Sequence, residues 1–279
     1  MSLLEIEYRP PASEISEFVS AYYYFRSDTA FKDLERADVA QFRFVLEGSG
    51  RIIFGDGTTS EFGPVNIIGP RTRASRVIVD EPGRVFGVGV RPSGWGTFTQ
   101  RPAHECVNRL LPGHEIFGRK MEAILWDELK AASSFDEMVA ISNARASQVY
   151  AQAGAKPHWF VILVDKWLES NLSPEVKDLQ AQAGLSARQT ERLAKQLDGA
   201  PPKLLARKYR ALRTAHAISR GTGDWQDFMD MGYYDQSHCI REIKTFVGIT
   251  PGAIREHRSP LTAMTFDHSQ LLGKFGAPD

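Results

Sequence analysis

The sequence predicts an α+β chain of two domains, an antiparallel β-barrel or jelly roll followed by an all-α unit. Three observations predict it. Over roughly the first 100 residues the chain reads as short β-rich runs punctuated by Gly and Pro. From Ile116 the hydrophobic period changes to that of helices. Beyond "GAKP" (Gly154 to Pro157) every strong segment up to His257 is helical, and the helical half contains an internal repeat.

A length of 279 residues accommodates two ordinary domains. With 42% hydrophobic and 24% charged residues, the composition is that of a globular chain rather than a disordered one. No apolar run approaches the ~18 residues of a membrane span. The start, MSLLEIEYRPP, lacks a basic region and a long apolar core, so no secretory signal and a cytoplasmic location are expected. The two cysteines, Cys106 and Cys239, exclude a disulfide framework and most structural zinc sites.

In "VAQFRFVLEGSGRIIFGDGTT" Phe42, Phe44 and Leu46 alternate with Gln41 and Arg43, the period of a strand. EGSG and FGDG supply hairpin turns. "PVNIIGP", "ASRVIVDEPG" and "RVFGVGVRP" continue the pattern. The tyrosine run in "AYYYFRS" is expected to divide between core and rim. Phe117, Met121, Ile124, Leu125 and Leu129 then form one helical stripe. "FDEMVAISNARASQVYAQA" is a second helix starting near Ser134, and "GAKP" ends it. The division expected is 1–155 for the β-domain with its helical extension, 156–260 for the helical domain and 261–279 for a tail of mixed character.

The repeat is R-x2-K-x3-G-x2-P. Arg192, Lys195, Gly199 and Pro202 recur as Arg241, Lys244, Gly248 and Pro251. A glycine just past a helix takes the left-handed cap, and a proline three residues on opens the next helix. Each copy follows a short helical run and a glycine turn, "VKDLQAQAGLS" and "WQDFMDMGYYD", which is a helix-turn-helix outline. Helical spacing puts Thr190, Ala194 and Leu197 on one face of the first copy and Arg188, Arg192 and Lys195 on another. In the second copy Cys239, Ile243 and Phe246 form the apolar face, with Ser237, Arg241 and Lys244 outward. Ser237, His238 and Cys239 stand side by side like a nucleophilic or metal site. Cys239 lies on the apolar stripe, however, so a structural thiol is expected. Asp235 and Ser186 are the expected N-caps.

The net charge is +0, yet nine Lys or Arg between Ser186 and Arg220 face only Glu191 and Asp198. Such a surplus fits a solvated helix face or a polyanion footprint. His104, Glu105, Cys106 and His114 lack the close repeated spacing of a metal site. "GVGVRPSG" misplaces the third glycine of a dinucleotide fingerprint.

"GLSARQTERLAKQLDGAPPKLLARKYR" and "GYYDQSHCIREIKTFVGITPGAIRE" resemble the paired helix-turn-helix units of AraC/XylS transcription regulators. The distinctive residues are Gly232, Tyr233, Asp235, Ser237, His238, Arg241, Lys244, Gly248, Thr250 and Pro251. The likeness runs from Trp159 to His257. The preceding half is similar to the cupin-like β-barrel sensory or dimerisation domain often found ahead of this module. Gln180, Phe228, Thr190, Ala194, Asp198 and Cys239 depart from the usual pattern, and a thin core is expected in the first unit. The resemblance implies double-stranded promoter DNA and RNA polymerase as partners, a small-molecule effector, a homodimer, and no enzymatic activity or cofactor. Base contacts are expected from Arg188, Gln189, Arg192, Ser237, His238 and Arg241. Phosphate contacts are expected from Lys195, Lys203, Arg207, Lys208 and Lys244. Two other readings remain: a cupin-like metal-dependent enzyme with a helical appendage, and a degenerate module that binds a protein partner.

Overall fold

The computed structural model describes residues 4–223, 227 and 232–267. Among them are ten strands: β1 (Leu4–Arg9), β2 (Val19–Ser27), β3 (Phe31–Glu35), β4 (Ala40–Glu47), β5 (Gly50–Ile53), β6 (Thr59–Glu61), β7 (Val65–Ile68), β8 (Ser75–Val79), β9 (Gly83–Val90) and β10 (Leu110–Pro112). They form two antiparallel sheets, ordered β1-β2-β9-β4-β7-β10 and β3-β8-β5-β6. This is the expected antiparallel β-domain.

Both faces of the larger sheet are covered, which the alternation in β4 does not disclose. Phe42 and Phe44 pack with Tyr22, Phe86 and Trp95 beneath helices α1 (Pro92–Thr99), α2 (His114–Ala131) and α3 (Phe135–Ala153). Gln41 and Arg43 are also buried, and line a cavity inside the β-domain. The tyrosine run divides by the same alternation. Tyr22 donates to Asn143 Oδ1 on the helical side, whereas Tyr23 and Phe25 face the cavity. Gly87 and Gly89 of the "GVGV" run also serve this layout. A Cβ at Gly87 would lie 2.0 Å from the Tyr23 ring.

The stripe expected on α2 is interrupted. Gly118 has φ 73° and breaks the helix, so Met121 is turned to solvent. Trp126 fills the contact instead and donates to the Val45 carbonyl at 2.8 Å. Helix α3 begins as expected, with the Ser134 hydroxyl accepting from Glu137 N.

The second core belongs to α4 (Trp159–Ser170), α5 (Val176–Ala183), α6 (Ala187–Asp198), α7 (Pro202–Arg220), α8 (Gln236–Val247), α9 (Pro251–Arg255) and α10 (Pro260–Asp267). Helix α10 is a finding. It starts at Pro260, beyond which the sequence is too mixed to read, and packs on β3. The helix expected over "WQDFMDM" falls mainly outside the described residues, as does Phe228.

Candidate nucleic-acid interface

Both copies of the repeat fold alike. Gly199 (φ 82°) and Gly248 (φ 94°) take the left-handed conformation past α6 and α8, and Pro202 and Pro251 open α7 and α9. The Ser186 hydroxyl accepts from Gln189 N in a capping box, and Asp235 accepts from His238 N at 2.7 Å. Helices α6 and α8 thus start and stop at sequence-defined points. They are joined by α7, whose 19 residues span roughly 28 Å at ~1.5 Å per residue.

On α6, Thr190, Ala194 and Asp198 are buried, while Arg188, Gln189 and Arg192 are exposed. The thin core foreseen for this unit is compensated in two ways. The buried Thr190 hydroxyl donates to the Ser186 carbonyl at 3.0 Å. The helix also packs against α1 and the 3-10 turn Ala103–Glu105 of the β-domain. Lys195 is half-exposed and paired with Glu191 at 2.6 Å. Lys203 is exposed at the start of α7.

On α8, Cys239, Ile243 and Phe246 are fully buried, and Ser237, Arg241 and Lys244 are exposed. Burial pushes the Cys239 thiol up to about 11, which removes the thiolate a nucleophile needs. Sequence spacing did not disclose Glu242, which is buried between α7 and α8. Its carboxylate accepts from Arg207 Nε and Arg210, each at 2.6 Å. His238 Nε2 lies 3.3 Å from the same carboxylate, and His238 Nδ1 accepts from Tyr234 N at 3.2 Å. The signal was there to find: Glu242 is the only acid in "SHCIREIK" and stands four residues after His238, one helical turn.

Two expected contacts change as a result. Lys208 is buried, with Nζ 3.5 Å from the Arg71 carbonyl and above the Tyr209 ring. It lies at the contact between the two domains, and its burial argues against a phosphate contact. Arg207 keeps about two-fifths of its side chain exposed while paired to Glu242. His238 is part-buried by its contacts with Glu242 and Tyr233. The basic run of α7 is largely spent internally, since Arg210 and Arg213 are buried as well.

The β-domain cavity is the second candidate site. At its polar end Glu35 is paired with Arg43 at 2.8 Å and with Arg71. Arg43 Nε also donates to the Tyr23 hydroxyl at 2.8 Å. Burial alone would raise the Glu35 carboxyl, but the two guanidiniums outweigh it and hold the group at about 2. Ile6, Phe25, Phe31, Val79 and Val85 make the apolar wall. Among the described residues no three His, Cys, Asp or Glu side chains are grouped to hold a metal. None of their helices is long and apolar enough to cross a membrane.

Residues 179–257 match the family described as a helix-turn-helix domain, and residues 7–112 match a domain family of unknown function (DUF6597). No curated protein matches the chain. Among solved structures, ToxT from Vibrio cholerae is similar at 10% identity over 85% of this chain and 96% of that one, with a TM-score of 0.46. ToxT bound to an unsaturated fatty acid is similar at 8% identity over 81% and 94%, with a TM-score of 0.44. A cupin superfamily protein from Desulfitobacterium hafniense is similar at 15% identity over 31% and 77%, with a TM-score of 0.25. The matched domain and the doubled motif agree: the chain carries a helix-turn-helix domain behind an antiparallel β-domain.

Proposed function

We propose that the protein is a non-enzymatic transcription regulator that binds promoter DNA through α6 and α8 and responds to a small molecule held in its β-domain. The observation that carries this reading is the pair of helices α6 and α8, each opened by a side-chain N-cap, closed by a left-handed glycine and bearing exposed basic side chains. Arg188, Gln189, Arg192, Ser237 and Arg241 are assigned to base edges, with His238 able to join them only by leaving Glu242. Lys195, Lys203, Arg207 and Lys244 are assigned to phosphates. Arginine suits this division because its planar fork pairs bidentately with guanine, whereas lysine acts as a point charge. We assign the domain boundary to 155/156, ahead of α4. A homodimer and contact with RNA polymerase follow only from the resemblance to AraC/XylS regulators.

The test is the salt dependence of affinity for DNA selected by the protein from a random pool. Each neutralised phosphate contributes a slope of about −0.9 in log K against log salt. Four contacting cations therefore predict a slope of roughly −3 to −4. A slope near zero, or no selected sequence, refutes the reading.

A further inference from the structure

Part of the wall of the β-domain cavity comes from a helix of the other domain. Of its lining residues only Leu261 and Thr265 lie outside the β-domain, and both belong to α10. Leu261 is buried against Tyr23 and Phe25, flanked by Ile6, Tyr8, Phe31 and Val85. The start of the helix is fastened to β3 by polar contacts. Asp33 accepts from the Ser259 hydroxyl at 2.7 Å and from Leu261 N at 2.8 Å. The Thr262 hydroxyl donates to the Leu34 carbonyl at 2.9 Å.

With α10 seated, the cavity measures about 90 Å³. A dry cavity of about 150 Å³ is what a benzene ring occupies. The space left beside Leu261 is smaller than that. The lining from the β-domain is rooted in hydrogen-bonded strands and the loops between them, whereas α10 is eight residues long. A helix of two turns is held by what it packs on rather than by its own propensity.

The same helix reaches the core of the DNA-binding domain. Phe266 is fully buried there, beside His216 of α7 and beneath the Arg36 guanidinium. Leu261 and Phe266 thus hold one short helix in two cores at once.

We propose that α10 is an internal competitor for the effector cavity. A ligand fills the space of Leu261 only by lifting α10 from β3, and this loosens the attachment of the helix-turn-helix domain to the β-domain. The inference rests on the effector reading above and adds the element that converts occupancy into a change between domains.

The probe is anilinonaphthalene sulfonate, whose aromatic body suits the Phe25 and Phe31 wall and whose charge is opposite to that of Arg43 and Arg71. It is titrated into the full-length protein by fluorescence, with near-UV circular dichroism confirming that the fold is retained. Leu261→Ala is expected to bind the probe at one site at least tenfold more tightly than the natural protein. Thr265→Ala, at the less buried lining position, is expected to shift affinity in the same direction. In the natural protein, saturating probe should speed backbone hydrogen exchange in residues 259–267 while β2 and β9 stay protected. Unchanged affinity in both variants overturns the proposal. So does probe binding with unchanged exchange over 259–267. DNA affinity of the natural protein without probe is measured separately, so a failure of the DNA-binding reading is distinguishable from a failure of the competitor.

Discussion

Replacing Glu242 by alanine tests how the second reading helix is held. In the structure its carboxylate is nearly inaccessible and accepts from Arg207 and Arg210. The two pairs do not count equally. Arg207 keeps 43% of its side chain exposed, and an exposed pair contributes about 0–1 kcal/mol. Arg210 keeps only 7%, so removing its partner leaves a buried guanidinium charge with the Ser173 hydroxyl and the Tyr233 ring as company. Breaking such a pair from one side costs about 3–5 kcal/mol. Glu242→Ala is therefore expected to destabilise the helical domain by about 3–5 kcal/mol, nearly all of it through Arg210. Chemical denaturation followed by near-UV circular dichroism gives the loss. The double variant Glu242→Ala with Arg210→Met should recover part of it, because the unpaired charge is then gone. A loss below about 1 kcal/mol for Glu242→Ala would place the pair in the exposed class. No recovery in the double variant would show that packing, not charge, accounts for the loss.

Three further outcomes are expected. Arg192→Ala and Arg241→Ala should each weaken DNA binding by about 1–3 kcal/mol and relax preference at separate half-sites about 10 base pairs apart. Binding-site selection checks this, and relaxation of the same base pairs by both variants would rule out two independent reading helices. Because the folded Glu35 carboxyl is held at about 2, its contribution to stability is present above the unfolded value near 4.5 and is lost as pH falls towards 2. That contribution is at most about 3 kcal/mol. In denaturation at several pH values Glu35→Gln should remove this part of the acid slope, and an unaltered slope would refute it. Cys239→Ser should cost about 1–3 kcal/mol of stability through a buried hydroxyl and leave DNA affinity of the folded protein unchanged. Lost affinity with unchanged stability would instead give the Ser237-His238-Cys239 cluster a chemical role.

The helical half was legible because its signals are local. A glycine that must adopt positive φ, a proline that opens a helix and a Ser or Asp cap act within a few residues of where they stand. Doubling the set fixed the register, and Cys239, Ile243 and Phe246 fell on the buried face that spacing assigned them. The β-domain cavity was not legible. Period two separates Phe42 and Phe44 from Gln41 and Arg43, but it does not say whether the polar side meets water or an enclosed space. The ion cluster at its end joins Glu35, Arg43 and Arg71, which are brought together by sheet pairing and the turn before β8. Counting charge misled for a related reason. Lys208, Arg210 and Arg213 add to the basic total of α7, yet all three are buried. Helix α10 escaped because its ordering comes from Asp33 and the cavity rather than from periodicity of its own.

The end of α8 has a consequence for how domain separation can be observed. Helices leave their last carbonyls without partners in their own backbone. Here the Thr245 carbonyl accepts from Ala74 N at 2.9 Å and the Phe246 carbonyl accepts from Ala37 N at 2.6 Å, both amides lying in the β-domain. Neither amide belongs to a strand, so neither is held by a sheet ladder. Their exchange with deuterium thus reads the opening of the boundary rather than the unfolding of either side. Measured against a strand-centre amide such as Val88, they report any opening between the two domains as two resolvable peaks.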